Sequence, residues 1–392
     1  MTLRTSIATV CLSGTLVEKL HACAAAEFDG VEIFEPDLIG SPASPEEIAA
    51  LAARLGLTLD LYQPFRDAEG VTEERFADVV RRARSKFRLM QRLGIDTMLV
   101  CSNVGTATID DDDVSADQLR RLGDEAAAHG VRLAFEALAW GKYVDDYRRA
   151  WRIVQLADHP AVGVCLDSFH ILSRDHDPAA IEQIPGDKIF FLQLADAPAL
   201  TMDVLSWSRH HRLFPGQGAF DLAEFVRLVL ATGYSGPLSL EVFNDVFRQS
   251  DPNHTAVDAM RSLLVLKEKL GLGDLPAAPA LSGYAFTEVA SSDDDMTDTL
   301  AALGFRRAGR HTTEPVALWR QGDATLAVRA DAATRITTVG VASSGPEVSL
   351  RRAEHLLATP VEHGVTAPDG TTVVSKPIIR VSNSKTATTL VF

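Results

Sequence analysis

The chain is 392 residues long, and its 46% hydrophobic and 23% charged residues are close to average globular usage. This length favours two domains, and the composition allows a sizeable buried core and excludes a generally disordered chain. The formal net charge of -15 argues against nucleic acid or an anionic membrane surface as the main partner, because either would require clustered lysine and arginine.

The N-terminal part alternates short apolar runs with helix-like stretches, a pattern typical of β-α units repeated around a parallel sheet. The predicted strands are Ser6–Val10, Gly30–Phe34, Thr58–Tyr62, Thr97–Cys101, Arg132–Glu136, Val162–Asp167, Ile189–Leu194 and Leu238–Val242. The predicted helices are Ser44–Leu55, Thr72–Leu93, Ser115–His129, Tyr147–Ala157 and Leu222–Ala231. Eight units of this kind predict an α/β fold, a (β/α)8 TIM barrel. A doubly wound open sheet is the alternative, but no G-x-G-x-x-G motif follows the first strand.

A Gly-, Pro- and Ala-rich stretch follows the last barrel helix and indicates a linker. We therefore predict a barrel at residues 1–272, a linker at 273–283 and a smaller domain at 284–392. The elements predicted in the smaller domain are Tyr284–Val289 (strand), Asp294–Leu303 (helix), and Gly304–Thr312 and Ala317–Arg329 (strands). This order predicts an α+β domain of βαβββ (vicinal-oxygen-chelate-like) type. The polar tail after Ala367 lacks a second complete unit, and we expect it to be poorly ordered.

The fifth to eighth predicted strands each end in a side chain with an oxygen ligand. These side chains are Glu136, Asp167, Gln193 and Glu241. Consecutive strand ends lie side by side around one rim of a barrel, so the four side chains can converge on one point. Any one of them could simply be a satisfied polar group, but three carboxylates together without a cation would raise one another's pKa. An all-oxygen set predicts one hard divalent metal ion, namely Mg, Mn or Co.

His170 follows Asp167 by three residues and is the candidate general acid/base. The position after the sixth strand places its imidazole above the rim, where it can move protons near neutral pH. The alternative is a histidine that only supports a metal ligand or lies in a surface loop.

Substrate-binding candidates come from two loops at the same end of the barrel. The long connection Ala197–Gly218 contains Ser208 and Arg212 in the run SWSRHHR, and connections of this length at a barrel mouth are usually functional. Arg66 follows the third strand in YQPFRD and adds another cation. Both arginines are predicted to pair with a substrate carboxylate, and solvated loop arginines are the alternative.

Other polar residues receive no catalytic assignment. The roles of Glu32 and Glu35 near the end of the second strand stay open. Loop or surface positions are predicted for Trp207, His210, His211 and Asp110–Asp113. Four isolated cysteines predict buried reduced thiols, and the absence of a long apolar segment or signal-peptide pattern predicts a cytoplasmic protein with no membrane partner. A homo-oligomer is compatible with the sequence, although nothing in it indicates one.

The barrel residues resemble the xylose-isomerase-like superfamily, in which an E…D…H/Q…E set holds one divalent metal. Gln193 stands where the isomerases and epimerases usually have histidine, as in the bacterial 3-dehydroshikimate dehydratases. The runs VEIFE, YQPFRD, FEALAWG and SWSRHHR are also similar to that dehydratase family. The resemblance implies a lyase of quinate and shikimate catabolism that converts its small-molecule substrate 3-dehydroshikimate to protocatechuate.

The resemblance also implies a mechanism. The metal, held by the four strand-end residues, would polarise the substrate ketone and stabilise an enolate. His170 would take the α-proton and return it to the departing hydroxyl. Arg66, Arg212 and Ser208 would hold the substrate's carboxylate and hydroxyls.

The smaller domain resembles the beginning of a 4-hydroxyphenylpyruvate dioxygenase at residues Tyr284–Arg329. No His…His…Glu set suited to non-haem iron follows in the chain, so we expect no dioxygenase activity.

Three other functions remain as alternatives. A metal-dependent ketose sugar isomerase or epimerase is favoured by the fold but disfavoured by Gln193. A non-catalytic metabolite-binding module is disfavoured by the complete oxygen-ligand set and by His170. Nucleic-acid repair would require a basic surface and more metal-binding histidines than these strand ends provide.

Overall fold

The computed structural model describes residues 3–291, 294–310, 315–331, 334–358, 360–361, 378–379 and 389–391. The chain divides into two compact units, Met1–Gly273 and Asp274–Phe392. Within the described ranges, no helix is long and apolar enough to cross a membrane.

The first unit is a closed barrel of eight parallel strands. Its strands are β1 (Thr5–Ala8), β2 (Gly30–Phe34), β3 (Thr58–Phe65), β4 (Thr97–Cys101), β5 (Arg132–Glu136), β6 (Val162–Asp167), β7 (Ile189–Leu194) and β8 (Leu238–Leu240). They pair in chain order, and β8 returns to β1. Every residue of β4, β6 and β7 is buried, as expected for parallel strands that are covered on both faces. The (β/α)8 prediction is confirmed, and the open-sheet alternative is wrong.

Helices follow or connect the barrel strands. They are α1 (Leu16–Ala25), α2 (Glu35–Ile39), α3 (Pro45–Arg54), α4 (Glu73–Leu93), α5 (Asp112–Ala128), α6 (Tyr147–Ala157), α7 (Ser168–Leu172), α8 (Val204–His210), α9 (Leu222–Ala231) and α10 (Pro252–Lys269). Short 3-10 turns occupy Thr9–Cys11, Pro178–Gln183, Gly186–Lys188 and Phe247–Gln249. Capping boxes at Thr15 and Ser44 begin α1 and α3, and Gly94 ends α4 in the left-handed conformation at φ 73°.

Three local features differ from the sequence prediction. Strand β3 continues to Phe65, and β8 ends at Leu240, so that Glu241 is the first residue after the strand. The connection after β7 contains α8, which the sequence analysis treated as a loop. This helix is short and largely polar, so it lacks the apolar periodicity that identifies longer helices, although the Asp203 side chain caps it by accepting from the Ser206 amide.

Asp196 organises the connection that carries α8. This residue is fully buried just after β7. Its Oδ2 accepts from the backbone amides of Gly216 (2.9 Å) and Gly218 (3.0 Å), and its Oδ1 accepts from those of Phe220 (3.0 Å) and Ala197 (2.8 Å). A Cβ atom at Gly218 would lie 2.3 Å from Asp196 Oδ1, so only glycine allows this close approach. One carboxylate thereby holds both ends of the connection.

The second unit contains a mixed sheet in the order β10-β11-β12-β9-β13-β16-β15-β14. Its strands are β9 (Leu281–Ser291), β10 (Arg306–Arg310), β11 (Val316–Gln321), β12 (Ala324–Ala330), β13 (Arg335–Ser343), β14 (Pro360–Val361), β15 (Ile378–Ile379) and β16 (Thr389–Val391). Its helices are α11 (Asp294–Ala302) and α12 (Pro346–His355). The chain order β9-α11-β10-β11-β12 confirms the predicted α+β domain.

Five elements of the second unit were not predicted from the sequence, namely β13, α12 and the short strands β14, β15 and β16. Strand β13 pairs antiparallel with β9, with register shifts at three points, and α12 follows it. The run RITTVGVAS mixes threonine and glycine with apolar residues, so its period-2 pattern is weak. Apart from β15 and β16, the tail after Ala367 lies outside the described residues.

Asp196→Asn should destabilise the barrel unit. An amide nitrogen cannot accept from backbone N–H groups, so two of the four hydrogen bonds are lost in a site closed to water. We expect the free energy of unfolding to fall by about 1–3 kcal/mol, measured by urea denaturation followed by circular dichroism. Asp203→Asn is the control, because asparagine caps a helix as well as aspartate does. Equal stability of both variants would contradict this role of Asp196.

Candidate active site

Glu136 lies at the end of β5 with one carboxylate oxygen bonded and one free. Its Oε2 accepts from the Cys101 thiol at 3.4 Å. Its Oε1 is buried and has no hydrogen-bond partner among the residues that the structure describes. Burial, followed by the charges of Asp167 and Glu241, raises the pKa of Glu136 well above its ordinary value. A buried oxygen of this kind is suited to ligate a cation.

Asp167 and Glu241 share the guanidinium of Arg212. Arg212 Nη1 donates to Asp167 Oδ2 at 2.7 Å and to Glu241 Oε2 at 3.1 Å, and all three side chains are buried. Burial is the largest single effect and would raise the pKa of Asp167. The charges of Arg212 and His170, together with hydrogen bonds from Arg212 and the Phe169 amide, outweigh burial and lower that pKa. Burial raises the pKa of Glu241 to about 6 despite Arg212.

His170 lies on α7 with both ring nitrogens next to N–H donors. The Ala139 amide donates to Nδ1 at 3.1 Å, and Arg212 Nη2 lies 3.2 Å from Nε2. Burial is the main cause that lowers the pKa of His170 to about 3, and Arg212 adds to this shift against the opposing charge of Asp167. The imidazole is therefore neutral at physiological pH.

Gln193 occupies the end of β7 beside Asp167, its partner in the β6–β7 register. Its Nε2 donates to Glu32 Oε2 at 2.6 Å, and its Oε1 lies 3.5 Å from the Cys165 thiol. Gln193 and Glu32 are both fully buried. The amide nitrogen of Gln193 is thus turned towards β2.

The cluster fits a bound divalent cation. Ligand atoms of Glu136, Asp167 and His170 lie within 4.8 Å of one another, and Arg212 connects Glu241 to the same group. Three carboxylates lie together in a buried site, where Arg212 bonds Asp167 and Glu241 and where Glu136 keeps an unpaired oxygen. Carboxylate and amide oxygens match the ligand preference of Mg or Mn. A divalent ion would offset the charge of Glu136, which no arginine bonds among the described residues.

A cavity opens onto this cluster and brings together the sequence-predicted residues of both loops. Its lining includes Arg66, Glu136, His170, Arg209, Arg212 and Glu241. Arg66 is half-buried there. Ser208 is fully buried and does not line the cavity; its hydroxyl instead accepts from Arg212 Nη2 (2.8 Å) and Nε (3.1 Å). Ser208 therefore holds Arg212 in place.

Arg209 lines the cavity and was not selected by the sequence analysis. Its guanidinium carbon lies 4.8 Å from the ring centre of Phe243 and 5.8 Å from that of Trp140. Burial, followed by the charge of Arg66, lowers its pKa. No side-chain hydrogen bond or ion pair of Arg66 or Arg209 was found among the described residues. Arg209 precedes Arg212 by three residues in SWSRHHR, and this spacing is the sequence signal that could have identified Arg209.

Two family models match the chain. The model "Xylose isomerase-like TIM barrel" matches residues 20–268, and the model "Hydroxyphenylpyruvate dioxygenase, HPPD, N-terminal" matches residues 277–381. A 3-dehydroshikimate dehydratase of Pseudomonas putida is 50% identical over 343 residues, which is 83% of this chain and 54% of the relative. The chain thus spans about half the length of this curated relative.

Solved structures share both the fold and, in one case, the order of the units. A xylose isomerase-like TIM barrel/4-hydroxyphenylpyruvate dioxygenase fusion protein is 42% identical with a TM-score of 0.89, covering 100% of this chain and 66% of that one. The IOLI protein with a binding zinc atom is 20% identical with a TM-score of 0.62, covering 68% of this chain and 99% of that one. The second likeness shows the barrel fold alone.

Glu241→Ala should remove a metal that this cluster binds. The substitution deletes one carboxylate and leaves Arg212 with fewer acidic partners, so the net attraction for a cation falls. We expect wild-type protein to retain about one Mg, Mn or Co per chain after dialysis, and the variant to retain much less, as measured by atomic emission. Glu35→Ala is the control, because Glu35 bonds Tyr62 (2.5 Å) and Lys86 instead. Unchanged metal content in Glu241→Ala would contradict the ligand assignment.

Proposed function

This chain belongs to the xylose isomerase-like TIM barrel family, and from that membership we propose that it dehydrates 3-dehydroshikimate to protocatechuate. The observation that carries the proposal is the buried set of Glu136, Asp167, Gln193 and Glu241, of which Glu136 and Glu241 line a cavity together with His170 and three arginines. An amide in the third ligand position and the half identity with a dehydratase favour dehydration over isomerisation.

We propose that the cofactor is one divalent ion, Mg, Mn or Co, held by the four strand-end residues. When bound, such an ion polarises a substrate oxygen and stabilises the negative charge that develops on it. Proton transfer and substrate binding are carried out by side chains of this protein.

His170 moves the proton. Its Nε2 faces the cavity, 3.7 Å from Asp167 Oδ2 and 3.9 Å from Glu136 Oε1. For Nε2 to act as the base, the neutral ring carries its hydrogen on Nδ1 and gives up the hydrogen bond from the Ala139 amide. Nε2 then takes a proton from the carbon next to the substrate ketone, and the two carboxylates stabilise the imidazolium that results. The same proton then joins the departing hydroxyl, so that water leaves. Enolisation of the remaining ketone completes the aromatic ring, which makes the overall step hard to reverse.

Arg66 and Arg209 bind the substrate carboxylate. Both guanidiniums line the cavity, and no bonding partner was found for either within the described ranges. A carboxylate is the group that pairs best with planar guanidinium donors. Arg212 orients the substrate hydroxyls, and Ser208, which does not line the cavity, fixes the guanidinium through two hydrogen bonds.

An ultraviolet assay of chelator-stripped protein with 3-dehydroshikimate tests the proposed function. We expect protocatechuate, identified by chromatography, only after addition of Mg, Mn or Co. In the same assay, His170→Ala should lower turnover by about 10²–10⁴ while metal content stays unchanged, because the proton acceptor is lost. His210→Ala is the matched control, since His210 is exposed and pairs with Asp245.

Either of two results would refute this proposal. If metal-loaded wild-type protein forms no protocatechuate, the dehydratase function is excluded. Interconversion of ketose sugars without loss of water would then indicate an isomerase or epimerase. Near-normal turnover of His170→Ala, or loss of its metal, would remove that residue from the assigned role.

Arg209→Gln should weaken binding of the carboxylate group. A charge-assisted hydrogen bond is worth about 1.5–3 kcal/mol, so we expect KM for 3-dehydroshikimate to rise about 10- to 100-fold. Calorimetry should show that protocatechuate loses affinity for the variant, whereas catechol, which lacks the carboxylate, does not. Arg88→Gln, on the outer helix α4, is the control. Equal losses for both ligands would argue against a carboxylate contact.

A further inference from the structure

We propose that Glu32 is a positioning residue that orients the side-chain amide of Gln193, so that its carbonyl oxygen faces the metal site. The inference deepens the proposed function and rests on its metal site. It assigns a role to a carboxylate that the sequence analysis left open.

Glu32 connects strands from opposite parts of the sequence. It lies on β2 and is 0% exposed. Its Oε2 accepts from Gln193 Nε2 at 2.6 Å and from Gln63 Nε2 at 2.7 Å, and its Oε1 accepts from the Ser239 hydroxyl. The donors belong to β7, β3 and β8. All four side chains are buried.

The chemistry of an amide explains why such a partner is needed. Glu136, Asp167 and Glu241 each present two equivalent oxygens, so either orientation of the carboxylate offers a ligand atom. Gln193 has one ligating end and one N–H end, and a half-turn of the amide would present the wrong end. An ionised carboxylate only accepts hydrogen bonds, so Glu32 binds the N–H end. The oxygen of Gln193 is then held at the opposite end of the amide, where it lies 3.5 Å from the Cys165 thiol on β6.

The fold alone does not account for Glu32. No cationic side chain pairs with it among the described residues, and its three partners are neutral donors. Glu32 is fully buried, and a buried position is unfavourable for a carboxylate. An apolar side chain would avoid this cost in a barrel interior. Retaining an acid there makes sense if its hydrogen bonds fix a functional group.

Four variants test the assignment through metal binding. Glu32→Met removes the acceptor, and Glu32→Gln keeps one acceptor oxygen. Gln193→Glu places a carboxylate against Glu32, and the double variant E32Q/Q193E exchanges amide and carboxylate. Chelator-stripped proteins are titrated with Co²⁺ by calorimetry and by visible absorption, and thermal unfolding without metal reports on folding. Glu35→Gln is the control, three residues away but bonded to Tyr62 and Lys86.

Glu32→Met should weaken Co²⁺ affinity about 10- to 100-fold and change the Co²⁺ spectrum, because an unsupported ligand samples the wrong orientation. Glu32→Gln should stay within about threefold of wild type, since its oxygen can accept from both amides. In the Gln193→Glu background the same change should tighten binding at least about tenfold, because it replaces a repulsive carboxylate pair. If Glu32 only stabilised the fold, Glu32→Gln would not tighten Co²⁺ binding in the Gln193→Glu background.

If Glu32→Met binds Co²⁺ with wild-type affinity and a wild-type spectrum, the assignment of Glu32 is overturned. If that variant does not fold, the double-mutant cycle of Glu32→Gln and Gln193→Glu tests the assignment instead. Absence of coupling in that cycle would also overturn it. Failure of wild type to bind Co²⁺ would remove the metal site and this inference together. If wild type binds Co²⁺ but does not dehydrate 3-dehydroshikimate, the proposed function fails while the assignment of Glu32 stands.

Discussion

The crowding of negative charge at one rim of the barrel is the constraint on which the rest of the site depends. Parallel strands bring Glu136, Asp167 and Glu241 together because β5, β6 and β8 end at the same face, and burial makes their repulsion strong. Arg212 offsets part of this repulsion through Asp167 and Glu241. The long connection after β7 must therefore be rigid, because it carries that arginine. Asp196 and Ser208 provide the rigidity, one at the ends of the connection and one at the guanidinium.

The same crowding determines how His170 can work. Burial, with Arg212 and other arginines close by, keeps the imidazole neutral, which leaves it able to accept a proton at physiological pH. Arg212 Nη2, however, lies 3.2 Å from Nε2, on the atom that would accept the proton. In the proposed mechanism, this contact must be given up before Nε2 accepts a proton from the substrate.

Sequence patterns identified the fold and the acidic rim because both depend on regular local signals. The parallel strand order places the C-terminal ends of the strands at one rim, and Glu136, Asp167, Gln193 and Glu241 lie at or next to those ends. The sequence assigned no role to Arg209, Asp196 and Glu32. The role of each depends on a contact with a residue far along the chain or with a nearby aromatic ring, and local sequence patterns do not show such contacts. Glu32 and Gln193 are 161 residues apart. Helix α8 and strand β13 were missed because short or interrupted patterns carry little periodicity.

In the proposed ligand set, the amide of Gln193 has an electrostatic consequence that a fourth acid would not. With Gln193, the rim would contribute three negative charges, so that a bound divalent ion would keep more of its ability to polarise a substrate oxygen. Glu32 places a further carboxylate in the barrel but outside the proposed ligand set. It acts there as a hydrogen-bond acceptor for Gln193 and Gln63. Under this proposal, Gln193 as a ligand and the buried Glu32 beside it are two parts of one arrangement, because the glutamate holds the N–H end of the amide.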